Sequence, residues 1–199
     1  MIEVTYQQME LALKRLKYVF FKGVYNLNMI CVRKNTAVPD LFDDTYLMVY
    51  EGHGKVKRVF HAPITADPGL YALQNPSNPK GTAILKPGQY RGAYAPGYHR
   101  GYAAFVQVKP VTVWRDGNKD NRLDFGGRED TGMFGINIHR TIKDSFAATV
   151  GRHSYGCQVI QADIDLQYAR ELNRMQKRHV GTAAMTYTLI WESDIPTLQ

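Results

Sequence analysis

A chain of 199 residues, 44% hydrophobic and 22% charged, has enough apolar matter for one packed domain and is excluded from the disordered class. Its net charge of +7 favours anionic partners, but no dense Lys/Arg block or aromatic–basic repeat marks a nucleic-acid module, so no nucleic-acid partner is expected. Two cysteines, Cys31 and Cys157, are too few for a disulfide framework, and no apolar run has the length of a membrane span.

The chain opens on a predicted helix. Thr5 and Gln8 have capping-box spacing, and Met9, Leu13, Leu16 and Phe20 recur at helical steps. A helix is therefore expected over 5–20, inside a packing segment 1–22 whose apolar stripe covers a sheet. Glu10 and Lys14 sit four apart on another face. Glu3 and Glu10 interrupt the segment, and it lacks the continuous apolar region of a secretory signal. From Gly23 the pattern turns to strands: 25–32, 46–50, then a Gly52-His53-Gly54 turn leading into 55–61, with His53 exposed in the turn.

Residues 63–101 are rich in turn signals, at Asp67-Pro68-Gly69, Asn75-Pro76 and Lys86-Pro87-Gly88. The stretch 70–83 reads as a lid over a substrate cleft. Tyr90, Tyr94, Tyr98 and Tyr102 recur every fourth residue, and the intervening Gly and Pro place them in a groove or under a loop, not on a helix. Residues 102–114 read as one strong strand. Asp116, Asn118 and Asp120 then occupy the first three ligand positions of a calcium loop. Asn121 stands where such a loop needs Gly, and Gly127 where it needs Glu. Both readings stay open: a Ca2+ site, or a polar hairpin tip that needs no ion. Near the C-terminus a helix is expected over 163–178, with Asp163 as N-cap and Ile164, Tyr168, Leu172 and Met175 facing inward. A closing strand follows over 184–191. No linker or repeat divides the chain, so 1–199 is read as a single domain.

The chemistry concentrates in 135–160. His139 ends an apolar, strand-like run with Phe134, Ile136 and Ile138. Fourteen residues separate it from Ser154, which opens Ser154-Tyr155-Gly156-Cys157. A thiol is a nucleophile as its thiolate, which a nearby imidazole favours. A glycine before the cysteine lets the backbone approach a substrate and aim N–H groups at a developing oxyanion. Cys157 is thus the candidate nucleophile and His139 the candidate base, with the Gly156 and Cys157 N–H groups as oxyanion donors. Ser154 shapes the loop, Tyr155 contacts substrate or supports the base, and Arg140 or Arg152 receives a substrate carboxylate. The competing readings are a core cysteine beside a structural histidine, a Cys31–Cys157 bridge, and a zinc site of His139, His153 and Cys157. The zinc reading lacks a second cysteine pair. A papain-like enzyme would place its cysteine before its histidine, the reverse of the order here.

His139, the gap and Ser154-Tyr155-Gly156-Cys157 together resemble the signature of the L,D-transpeptidase catalytic domain. That signature is His, a gap of this order, Ser or Thr, His, Gly, Cys, an apolar residue, then Asn or Arg. Pro87-Gly88-Gln89-Tyr90 is similar to a turn on the family's donor side. The chain departs at Tyr155, Gln158 and Val159, positions that border the donor pocket in the family, while His153 lies one place before the missing second histidine. The resemblance implies a mainly β fold with a few helices: a β-sandwich or mixed-sheet domain with an N-terminal helix and a helix after the catalytic cysteine. It implies a base oriented by a backbone carbonyl, no cofactor, and a thioester acyl-enzyme formed on a peptidoglycan stem peptide. An amine acceptor then gives a crosslink, and water gives L,D-carboxypeptidase or endopeptidase action. The altered pocket motif and the missing signal favour a hydrolytic enzyme of phage or effector type, delivered to the cell wall or periplasm by a lysis or secretion apparatus. The alternative is a structural or virion-associated protein that keeps the fold without the activity.

Overall fold

The structure, a computed structural model, describes residues 1–197. Helix α1 (Tyr6–Arg15) starts where the sequence places it. Thr5 Oγ1 accepts the Gln8 N–H at 3.1 Å and Gln8 Oε1 accepts the Thr5 N–H at 2.9 Å, the reciprocal capping box. The helix ends earlier than expected, because the chain turns through a left-handed Lys17 with φ of 60°. Phe20 still reaches the intended core by a different path, meeting Tyr6 edge-on at 5.1 Å. Glu10 pairs with Lys22 rather than Lys14.

Strands β1 (Asn28–Arg33), β2 (Asp44–Glu51) and β3 (Lys57–Thr65) lead to the short helix α2 (Leu70–Gln74). Strands β4 (Thr82–Leu85), β5 (Gly88–His99), β6 (Tyr102–Gln107), β7 (Val111–Asp116), β8 (Arg128–Gly132), β9 (Ile138–Arg140) and β10 (Gln158–Ile160) follow, then helix α3 (Asp163–Val180) and strand β11 (Met185–Trp191). The fold is mainly β. Eight strands close a barrel in the order β1-β11-β5-β6-β9-β10-β3-β2, and β4-β7-β8 form a small separate sheet. Of the two forms expected, the mixed sheet is the one found, closed into a barrel and not packed as a sandwich, so that no main-sheet edge is left unpaired. Two of its pairings are parallel, β1 with β11 and β9 with β10. The strand expected over 102–114 divides at Pro110, which has no N–H to give a ladder, and β7 crosses to the small sheet.

Strand β1 is buried on both faces. Met29 and Cys31 point into the barrel, while Ile30 and Val32 pack with Leu47, Val49, Met9 and Leu13 under α1. Double burial explains the unbroken apolar run in the sequence. Each fully buried Leu or Met there contributes about 1.5–3 kcal/mol.

Helix α3 buries Leu172 as expected but otherwise turns a shifted face to the core. Ile164 and Tyr168 are 68% and 43% exposed, whereas Leu166, Ala169 and Leu172 enter the core beside Asn173 and Gln176. Those two amides disguised the inner face in the sequence. Gln176 Oε1 accepts the Leu27 N–H at 3.1 Å, and its Nε2 donates to the Thr182 and Ala184 carbonyls at 3.2 and 3.0 Å. Asn173 donates to the Ala183 carbonyl at 3.0 Å. The N-cap is Ala162, with Asp163 as the first helical residue, and Gly181 ends the helix at φ of 86°. Among the described residues no helix is long and apolar enough to cross a membrane.

Candidate active site

His139 and Cys157 are brought together by a parallel strand pair. Parallel neighbours need a long crossover, and all but Arg140 of the fourteen residues between His139 and Ser154 lie in the one that joins β9 to β10. Gln158 pairs with Ile138 and Val159 with His139, and the Gln158 N–H donates to the Asn137 carbonyl at 2.9 Å. Strand side chains alternate. Ile138 and Gln158 are therefore buried in the barrel, while His139 and Cys157 line one outward cavity.

The crossover is pinned from outside. Asp40 Oδ1 accepts the N–H groups of Gly151 at 2.6 Å and Leu70 at 3.3 Å, and the Gly69 N–H donates to the Ser154 carbonyl at 3.1 Å. The turn before Cys157 is built on Ser154, whose Oγ donates to the Cys157 carbonyl at 2.8 Å and accepts the Gly156 N–H at 3.1 Å. Gly156 has φ of +116°, and a Cβ there would lie 2.5 Å from the Ala83 carbonyl oxygen. Only glycine fits. Beneath the turn, Gln158 is fully buried. Its amide donates to the Ala66 carbonyl at 3.2 Å and its oxygen accepts the Tyr187 hydroxyl at 2.8 Å. Arg33, also fully buried, donates to the same Ala66 carbonyl at 3.1 Å and pairs with Asp67 at 3.1 Å. The polar residue that breaks the apolar pattern after the cysteine thus has both ends of its amide hydrogen-bonded inside the barrel, in a network that leaves Arg33 Nε and the Asp67 carboxylate oxygens without hydrogen-bond partners.

The His139 Nδ1 lies 2.8 Å from the Arg140 carbonyl oxygen and 3.1 Å from the Tyr102 hydroxyl. A carbonyl only accepts, so the ring proton sits on Nδ1. That leaves a lone pair on Nε2, which is buried and has no hydrogen-bond partner. Burial pushes the imidazole down to about 3, further than the Arg140 carbonyl can restore it. The His139 ring lies flat on that of His99, with centroids 4.2 Å apart and planes within 5°. Cys157 is half-buried and free, as is the fully buried Cys31, so the Cys31–Cys157 bridge is not formed. The Cys157 Sγ lies 3.5 Å from the Gly135 carbonyl. Burial pushes its thiol up to about 11, against the opposing pull of the Asn137 N–H and the Arg100 charge.

The cavity in front of the pair has a volume of about 390 Å³. Arg152, His153 and Tyr155, candidate substrate contacts in the sequence, line it together with His99 and Arg100. Arg152 lies over the Tyr71 ring at 3.8 Å. A second cavity of about 280 Å³ adjoins it, sharing Ser77, Phe134, Ile136 and Tyr155 as walls. Ser77 is the member of the predicted lid that reaches the main cavity. Arg140 is placed elsewhere: it pairs with Asp163 at 3.1 Å and stacks over Tyr102 at 4.4 Å, bracing β9 to α3 rather than facing the cavity. The four tyrosines at every fourth position also separate, Tyr94 being fully buried, Tyr98 75% exposed and Tyr102 against the base.

In the acidic loop, Asp116 Oδ2 accepts the Asp124 N–H at 3.1 Å, Asn118 Oδ1 that of Asp120 at 3.1 Å, and Asp120 Oδ1 that of Arg122 at 2.9 Å. These side chains act as turn caps. Among the described residues no group of three or more His, Cys, Asp or Glu is gathered for a metal, which bears on both the calcium and the zinc readings.

His99 and Arg100 were missed by sequence reasoning, and Tyr102 was placed in a groove or under a loop but not beside the base. All three sit on the tip of the β5–β6 hairpin, where His99 pairs with Tyr102 and Arg100 and Gly101 both have positive φ, 47° and 85°. Two such residues make the two-residue hairpin turn, so Arg100-Gly101 between strand-like runs was the available signal. Comparison with family models, with curated proteins and with solved structures finds no match to this chain.

Proposed function

We propose that this protein is a cysteine-dependent acyl-transfer enzyme acting on a peptide. In this reading Cys157 attacks an amide carbonyl while His139 takes the thiol proton and returns it to the leaving amine, forming a thioester. The observation that carries the reading is the unpartnered, buried Nε2 of His139 on the wall of the cavity that Cys157 also lines. A structural histidine in a core normally has both nitrogens satisfied. One here is tied to a backbone carbonyl and the other is left with a lone pair.

Ser154 occupies the Gly156 N–H, so the Cys157 N–H is the proposed main-chain donor to the oxyanion. Arg100 and Arg152 bring positive charge to the cavity and suit the carboxylates of a stem peptide. The sequence resemblance to L,D-transpeptidases supports peptidoglycan as the substrate, and the altered residues around the cysteine favour water as the acceptor. Digestion of purified peptidoglycan, followed by mass spectrometry of the muropeptides, tests donor, bond and acceptor together. The expected product is a shortened or released stem peptide that is absent with Cys157→Ala. Unchanged muropeptides from folded wild-type protein would overturn the assignment.

A second reading, a catalytically silent scaffold, is favoured by one observation: burial drives both groups toward their neutral forms, the imidazole down and the thiol up. A carbapenem-type β-lactam separates the two. An acyl adduct on Cys157 supports the enzyme, and an unmodified thiol supports the scaffold.

A further inference from the structure

The stacked partner of the base has its own fixed proton. Asn137 precedes β9 and lies two residues from His139. Its Oδ1 accepts the Gln107 N–H at 2.9 Å, which turns its NH2 toward His99 Nδ1 at 3.1 Å. The opposite orientation of the amide would set two donors against each other. His99 Nδ1 must therefore accept, and its proton lies on Nε2. His139 is the reverse, with its proton on Nδ1 against the Arg140 carbonyl. Two imidazoles of opposite tautomer thus lie face to face at 4.2 Å.

We propose that His99 is a positioning residue for the base: held uncharged by Asn137, it gives His139 a flat π surface that steadies the ring and stabilises the imidazolium formed when Nε2 takes the Cys157 proton. This rests on the reading of Cys157 and His139 as nucleophile and base. The step moves one proton from Sγ to Nε2 and nothing else. Aromatic faces attract cations, whereas a charged His99 would repel one. Protonating His99 at Nδ1 would cost the hydrogen bond from Asn137, and burial and the Arg100 charge also disfavour a charged His99. The other groups facing His139 are Tyr102 from β6, Arg100 from the hairpin tip, and His153 and Cys157 from the crossover and its end. Arg100 and His153 act against an imidazolium, as a charged His99 would, while the Arg140 carbonyl at Nδ1 favours one; a neutral His99 adds its ring face to that carbonyl and the Tyr102 hydroxyl as support.

The test is the pH dependence of Cys157 alkylation by iodoacetamide in the wild type and in His139→Ala, His99→Ala and His99→Phe. His99→Ala is expected to slow alkylation near neutral pH roughly three- to tenfold, the scale of a lost cation–π contact, and to shift the rising limb to higher pH. His99→Phe, which restores a flat ring without a titrating group, is expected to recover most of that loss. If His139→Ala slows the reaction but His99→Ala does not, this proposal alone fails. If His139→Ala also has no effect, the nucleophile–base reading fails with it. A His99→Phe variant as slow as His99→Ala removes the π surface from the account. Nitrogen-15 NMR of labelled histidines in the wild type needs no variant: a His99 that is charged, or protonated on Nδ1, at neutral pH overturns the proposal.

Discussion

Replacing Gly156 by Ala tests whether the turn before Cys157 is as tightly determined as its contacts imply. Two costs can be separated. A φ of +116° lies where side-chain-bearing residues are strained by about 1–3 kcal/mol. The new Cβ would also stand 2.5 Å from the Ala83 carbonyl oxygen and 3.0 Å from its Cβ. The oxygen belongs to the backbone of β4 and cannot rotate away, so turn or strand must shift, at roughly 1–3 kcal/mol for overpacking. The total is about 2–6 kcal/mol, which lowers the melting temperature by roughly 5–20 °C for a chain of this size. Gly151→Ala is the comparator. Gly151 has φ of +51° with open space around its Cα, so that variant bears only the backbone strain, about 1 kcal/mol. Urea and thermal unfolding, read by circular dichroism, measure both, and iodoacetamide alkylation reads whether Cys157 has moved. A Gly156→Ala protein that melts within about 2 °C of wild type and alkylates at the same rate would show that close approach to β4 does not set the turn.

Native protein treated with iodoacetamide should carry one label, on Cys157, and a second only on unfolding, because Cys31 is 0% exposed; intact-mass measurement decides, and native labelling of Cys31 contradicts the burial. Gln158→Leu leaves the Tyr187 hydroxyl without its acceptor inside the barrel and should cost about 1–3 kcal/mol in urea unfolding, with the thiol still reactive. Arg140→Gln should lower stability by about 1–3 kcal/mol through loss of the Asp163 pair without changing the affinity for a carboxylate-bearing peptide; a raised KM with unchanged stability would return Arg140 to the cavity. The acid limb of stability carries a further signature. His139 falls from 6.5 to about 3 on folding, so between those values the unfolded chain binds a proton that the folded chain refuses. Its contribution is complete above pH 6.5 and is lost as pH falls toward 3. The difference curve between wild type and His139→Gln should therefore change across that window and be flat above it; a flat difference throughout would mean that the ring is not held neutral.

Sequence pattern was most reliable where one residue type has one physical use. The capping box of Thr5 and Gln8, the hairpin at Gly52-His53-Gly54 and the Gly156-Cys157 turn were legible because capping oxygens and positive-φ glycines answer local demands. The fourteen-residue gap after His139 was legible as a spacing but not as its cause, which is the crossover between two parallel strands. The inner face of α3 was legible only at Leu172, because Asn173 and Gln176 are buried for their hydrogen bonds to 182–184, while the apolar Ile164 faces solvent. Barrel closure depends on β11 joining β1 to β5, a pairing between distant segments that no local pattern encodes. His99 was missed for the same reason: Phe105 pairs with Ile138, and only that long-range pairing carries the hairpin tip over His139.

The protonation of the pair constrains how such a site can work. Burial pushes the imidazole down and the thiol up, so the neutral pair is favoured before substrate arrives and the thiolate–imidazolium pair is its minor form. In the proposed reaction the proton must move as the carbonyl is attacked, when negative charge passes from sulfur to the carbonyl oxygen and can be met by the Cys157 N–H. The groups that favour this state are the His99 ring face and a substrate that displaces water from the cavity; the Arg100 charge favours the anion on sulfur but opposes the imidazolium. A site of this kind discriminates by assembly: a small alkylating agent reacts slowly with it, and a peptide that fills both adjoining cavities reacts fast. The two rates, measured on the same preparation, should therefore diverge. A thiol equally quick toward iodoacetamide and toward a stem peptide would mean that the sulfur is activated before binding, and that the burial assigned to both groups is wrong.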